Sequence, residues 1–132
     1  MVTQLNRGTP AREILYEVVQ YLAARLTLSG ADTFVKVGTL PTGSVLLNIN
    51  TRVITAISGG TPVLGVGTTS TNIGGTGDIA TGISVATGSV QTFPLAALAM
   101  PFTAPQDVFV GTSGGSTAGD TVVVVAFVKP LA

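Results

Sequence analysis

The chain has 132 residues, 45% of them hydrophobic and only 9% charged, and its six basic and six acidic side chains cancel to a net charge of zero. It contains no Cys and no His, which excludes disulfides, zinc–thiolate sites, thiol nucleophiles and any Ser–His catalytic pair. Its few basic residues, scattered and balanced by acids, give no electrostatic footprint for nucleic acid, and its longest apolar run, the seven residues 122–128, falls well short of the ~20 that a membrane-spanning helix needs.

Residues 1–12 are polar, include Gly8 and Pro10, and lack the apolar stretch of an export signal. They read as an extended N-terminal arm ahead of a single domain, residues 13–132. Between 11 and 29 two periodicities compete. Ile14, Leu15, Val18, Val19, Leu22 and Leu26 fit a helical stripe, whereas Leu22, Ala24, Leu26 and Leu28 alternate as a strand does. The spacing favours a strand over 19–28 and leaves 11–20 open to helix or strand.

Beyond this point every signal is β. A turn at Ser29-Gly30-Ala31-Asp32 precedes a short strand over 33–37, which Gly38 closes. Leu40-Pro41-Thr42-Gly43 reads as a turn with Pro in second position. Residues 44–57, rich in Val, Leu, Ile and Thr, form the longest strand candidate, ended by Ser58-Gly59-Gly60. A short strand follows at 62–66. Residues 67–92 are dominated by Gly, Thr and Ser with spaced Ile and Val, and fit either short strands or an ordered loop. Residues 93–102, FPLAALAMPF, read as a helical turn or an apolar loop. The end is the clearest signal: strands at 107–110 and 121–128 flank GTSGGSTAGD, a Gly-rich hairpin loop. The run Val122-Val123-Val124-Val125 predicts a strand buried on both faces.

The pattern therefore predicts an all-β fold: a two-sheet antiparallel sandwich of about eight strands, a jelly roll being one form of it. No motif in it supports catalysis. Gly111-Thr112-Ser113-Gly114-Gly115 matches G-x-S-x-G, but a nucleophile elbow needs a following helix and a His partner. Gly75-Thr76-Gly77-Asp78-Ile79-Ala80 matches a dinucleotide fingerprint, but Gly82 and Gly88 interrupt the helix it would open. Glu13 and Glu17 share one face in either a helix or a strand and read as a solvated pair. Asp32, Asp107 and Asp120 fall at turns or strand ends, where Asp commonly bonds local backbone. The acids are too dispersed for a calcium site. With no Trp, two Tyr and five Phe, the chain lacks an aromatic platform for sugars, and the core is the expected place for the Phe rings. The expectation is no catalytic residue, no cofactor and no metal.

What remains is association. Low charge and a net charge of zero favour it. The best local candidate for an assembly interface is the apolar segment carrying Leu95, Leu98, Met100 and Phe102, which forms either an exposed patch or the cap of one open end of the sandwich. Ile14 and Leu15 near the arm join it as candidates.

The segment Val35-Lys36-Val37-Gly38-Thr39-Leu40-Pro41-Thr42-Gly43-Ser44-Val45 resembles a motif of small virion proteins of tailed bacteriophages, in which a short strand leads through "vGtLPaGa" to a long apolar strand. The later features follow the same order: Gly59-Gly60-Thr61, then Thr117-Ala118-Gly119-Asp120 before the Val-rich last strand. The resemblance spans residues 19–130. It implies a jelly-roll-like capsid decoration or cement protein on the virion surface, synthesised in the bacterial cytoplasm and expected to be a homo-oligomer. It implies partnership with the major capsid protein and with copies of itself, and none with nucleic acid or membrane. It carries over no catalytic residue. A tail, adaptor or head-fibre component, or a receptor- or glycan-binding sandwich, is the alternative.

Overall fold

In the computed structural model, residues 19–70, 79–94 and 103–129 are described. They form eight strands: β1 (Gln20–Ser29), β2 (Phe34–Leu40), β3 (Val45–Ser58), β4 (Val63–Gly67), β5 (Ala80–Ile83), β6 (Val90–Pro94), β7 (Gln106–Ser113) and β8 (Ala118–Val128). Two four-stranded sheets result, in the orders β1-β8-β3-β6 and β2-β7-β4-β5, with every pairing antiparallel. This is the strand order of a jelly roll. The chain changes sheet at every connection except β4–β5. The all-β sandwich expected from the sequence is the fold observed.

Alternate apolar side chains of β1 to β5, β7 and β8 lie between the sheets, because side chains on a strand alternate faces with a period of two. The first sheet contributes Leu26, Leu28, Leu46, Ile49, Ile57, Val123, Val125 and Phe127, all buried. The second contributes Val37, Leu40, Leu64, Val66, Ile83, Val108 and Val110. β8 is the spine of the first sheet. It pairs with β1 from Gln20↔Phe127 to Ser29↔Ala118, and on its other side with β3 from Val45↔Val128 to Ser58↔Ala118.

Several sequence expectations need correction. The strand expected to close at Gly38 continues to Leu40. Its register with β7 shifts between Lys36 and Gly38, so Gly38 marks an irregularity inside the strand, where a Cβ would lie 2.8 Å from a Leu22 methyl and the Leu22 side chain would have to move aside. The turn before β3 lies one residue later than expected. The Ser44 amide bonds the Pro41 carbonyl at 3.1 Å, and Gly43 adopts φ +85° in the third position, a conformation that favours Gly.

The largest correction concerns the end of the chain. Residues 106–128 are not a hairpin: β7 belongs to the second sheet and β8 to the first. Only 114–117 lie between the strands, and they carry the chain across the sandwich. A hairpin and an inter-sheet corner have the same sequence signature, two apolar runs around a glycine-rich stretch, and only the partners of each strand distinguish them. β8 is also not buried on both faces. Val123 and Val125 are buried, whereas Val122 and Val124 are only half-buried on the outer face.

This corner meets two others. The Thr61 amide donates to the Gly114 carbonyl at 2.8 Å, Thr117 N–H to the Ser58 carbonyl at 2.8 Å, and Gly30 N–H to the Thr117 carbonyl at 2.8 Å. The chain at 59–61 approaches so closely that a Cβ on Gly114 would lie 1.8 Å from the Thr61 carbonyl oxygen.

Two substitutions test this architecture. Leu64→Ala, at a fully buried position between the sheets, is expected to lower unfolding free energy by about 2–5 kcal/mol in chemical denaturation. Gly114→Ala, surface-exposed, is expected to destabilise as well, through φ +92° and the clash with backbone; an unchanged midpoint would refute the corner geometry.

Candidate assembly surface

The six interface candidates from the sequence, Ile14, Leu15, Leu95, Leu98, Met100 and Phe102, lie outside the described residues, as do the arm 1–12 and the ambiguous stretch up to residue 18. Gln20 is already in β1. A different surface is visible on the described residues, and the sequence reading missed it.

It is the outer face of the first sheet. The register places Arg25, Val122, Arg52 and Val90 in one row across β1, β8, β3 and β6. The adjacent row carries Ala23, Val124 and Asn50. Asn50, Arg52, Ile54, Val90, Val122 and Val124 line a groove of about 550 Å³. Val90 is 68% exposed and Ile54 41% exposed. Aliphatic side chains at this density are normal inside a sandwich and notable on its solvent face. The sequence signal was present in the Asn48, Asn50, Arg52 alternation of β3, which marks a solvent face. That Val122 and Val124 sit beside it depends on the β3–β8 register, which no local pattern carries.

Two ion pairs, Arg25–Asp120 and Lys36–Asp107, hold four of the seven charged side chains among the described residues. Arg25 Nε donates to both oxygens of Asp120, at 2.9 and 3.1 Å, and its Nη2 donates to the same carboxylate; Thr27 Oγ1 adds a bond at 3.2 Å. The Arg25 hydrogen bonds hold the Asp120 carboxyl below the usual range, against the opposing effect of burial. On the outer face of the second sheet, Thr39 Oγ1 donates to Asp107 at 2.7 Å, and Lys36 Nζ lies 3.1 Å from the same oxygen. These bonds lower the Asp107 pKa. Asp32 accepts from the backbone amides of Gly115 at 2.9 Å and Ser116 at 2.8 Å. Burial pushes its carboxyl up, but those amides, with the Ser116 and Thr112 hydroxyls, outweigh it and the pKa falls. The three Asp residues thus bond groups far along the chain rather than the local backbone expected from their turn-like positions.

The remaining motifs resolve as structure. Gly111–Ser113 of the G-x-S-x-G match ends β7, and the next element is a strand. Ala80, at the end of the dinucleotide-like match, begins β5 where a helix would be required. Among the described residues no three acidic side chains cluster. The Phe rings are not all in the core. Phe127 is, but Phe34 is 51% exposed and meets half-buried Phe109 edge to face, centroids 5.9 Å apart, on the outside of the second sheet. A cleft of about 260 Å³ beside Phe34 is lined by Asp32, Thr33, Ser70 and Thr112. Its one carboxylate is already engaged by the corner.

No family model matches the sequence, and no curated protein matches it. The fold is similar to three solved chains. One is from the capsid of Ralstonia phage GP4, at 20% identity and TM-score 0.61, covering 98% of this chain and 95% of that one. A second, from the cyanophage Pam1 capsid asymmetric unit, has 18% identity, TM-score 0.63 and coverage of 93% and 92%. A third, from the acidic stable capsid structure of Helicobacter pylori bacteriophage KHP30, has 15% identity, TM-score 0.62 and coverage of 86% and 89%.

The pairing of Asp120 makes a pH prediction. A carboxyl whose pKa is lowered on folding adds stability that is present above its unfolded value, about 3.9, and is lost as pH falls through the folded value. Thermal melts from pH 6 to pH 2 should show Tm falling below about pH 4. Asp120→Asn should lower Tm at neutral pH and flatten that acid slope, while Asp32 and Asp107 keep part of it. An equally steep slope in the variant would contradict the assignment.

Proposed function

We propose that this protein is a non-enzymatic structural component of a bacteriophage capsid, which decorates or cements the shell by binding at subunit junctions. The observation that carries this reading is the likeness to chains from three phage capsid structures, which spans nearly the whole of both partners in each case. The likeness covers 95%, 92% and 89% of the three matched chains, so it is to those chains nearly whole. The chemistry agrees: the described acids are occupied in ion pairs and a backbone cap, and the outer face of the first sheet offers aliphatic surface.

The partners are then the major capsid protein and copies of the chain itself, at the virion surface. Binding rests on apolar burial and on backbone pairing across junctions. A contact of about 1,600 Å² in total is of standard stable size, and many symmetric copies add avidity without a strong individual site. With charge so sparse, attachment should depend little on ionic strength.

Purified virions carrying this chain, separated into heads and tails and quantified by peptide mass spectrometry, test the proposal. A high copy number in heads, comparable with that of the major capsid protein, is expected. So is retention on heads when salt is raised from 0.05 to about 1 M. A low copy number confined to tails would move the assignment to a tail or adaptor component.

A further inference from the structure

The groove on the first sheet contains one charge that has no partner among the described residues. Arg52 projects from the outer face of β3 between Val122 of β8 and Val90 of β6, with Ile54 two residues further along the strand. Arg25, in the same row, is neutralised by Asp120, Lys36 is paired with Asp107, and Asp32 caps the corner. No described acid is therefore left for Arg52. A guanidinium set in aliphatic surface is best matched by a carboxylate that brings its own apolar flank, because covering the pair excludes water and strengthens the attraction.

The chain itself contains that complement. Its three other acids are Glu13, Glu17 and Asp78. Asp78 stands in a run of Gly and Thr, but Glu13 and Glu17 enclose Ile14, Leu15 and Tyr16, and Val18 follows. A spacing of four puts both carboxylates on one side of the segment, whether helical or extended. We propose that residues 13–18 of a second copy of this chain occupy the groove, with Glu13 and Glu17 neutralising Arg52 and the aliphatic side chains covering Ile54, Val90, Val122 and Val124.

The occupant is a neighbour's segment and not the chain's own. Arg52 lies level with Arg25, five residues up β1 from Gln20 and two strands across, which is about 17 Å along the sheet and about 10 Å over it. To reach its own groove the chain would have to reverse tightly just before Gln20. Residues 11–29 contain no Gly or Pro, and the reversal would fall on Val18-Val19, β-branched residues that favour extension. Each copy therefore donates one segment and accepts another, a contact that closes as a reciprocal pair or a ring. It deepens the proposed partnership between copies, and it is read on purified protein without capsid. Its failure would leave the capsid assignment standing, and the reverse also holds.

Charge reversal tests it. Arg52→Glu in one full-length chain, and Glu13→Arg with Glu17→Arg in another, should each weaken self-association by about tenfold or more in sedimentation equilibrium. Any fall in Tm should accompany the fall in mass, because association stabilises the folded chain. Mixed in equal amounts, the two variants should recover association as a mixed oligomer, seen by native mass spectrometry, because each reversed charge then meets its complement. A monomeric wild type, single variants that associate as the wild type does, or a mixture that fails to recover would each overturn the proposal. Variants that lose Tm with no change in mass would show the segment seated on its own chain, which also overturns it.

Discussion

The constraint on which the rest of this structure depends is the corner where three inter-sheet connections meet. The chain changes sheet between β1 and β2, β3 and β4, and β7 and β8, and these crossings bond one another through Gly30, Ser58, Thr61, Gly114 and Thr117. Asp32 completes the junction by accepting two amides from the β7–β8 crossing. Closing a sandwich this way requires backbone to approach backbone without side chains between, and that explains why Gly59-Gly60 and Gly114-Gly115 face each other. Once the corner is set, the sheets lie in register over their core, and the outer face of the first sheet is presented as one surface.

Much of this was legible in the sequence, and the misses share a cause. Strand positions follow from local alternation and from glycine punctuation, so β1, β3, β4 and β8 fall within a residue or so of where periodicity places them at one end or both. Short strands in 67–92 are one of two open readings there, and β5 and the start of β6 are such strands; β6 continues through Phe93 and Pro94, which pair with Ile49 and Asn48 of β3, into the stretch read as a helical turn or apolar loop. Strand partners are not local. The stretch 107–128 reads as a hairpin because nothing within it says that β8 pairs with β1 and β3 instead of β7. The same blindness made Val122 and Val124 look like core, and it hid the row that joins them to Arg52 and Val90. The apolar segments chosen from sequence alone lie outside the described residues, so the visible surface is one that register, not composition, assembles.

The charge pattern gives the molecule its functional character. Three of six acids bond groups distant in sequence: Arg25–Asp120 within the first sheet, Lys36–Asp107 within the second, and Asp32 on the amides of the β7–β8 connection. Donors that folding brings near lower the pKa of each. What the two sheets offer outward differs: the second carries compensated charge and an aromatic pair, whereas the first carries aliphatic surface around one cation.

The partnership of the first and last strands also sets when the protein can fold. Arg25 and Asp120 are 95 residues apart in sequence, and among the described strands β1 pairs with β8 alone. During synthesis β1 must wait for β8 before it finds that neighbour. Contacts of such long range are entropically slow to form and favour folding in one late, concerted event. The groove, which Val122 and Val124 of β8 help to line, therefore does not exist until β8 has been made.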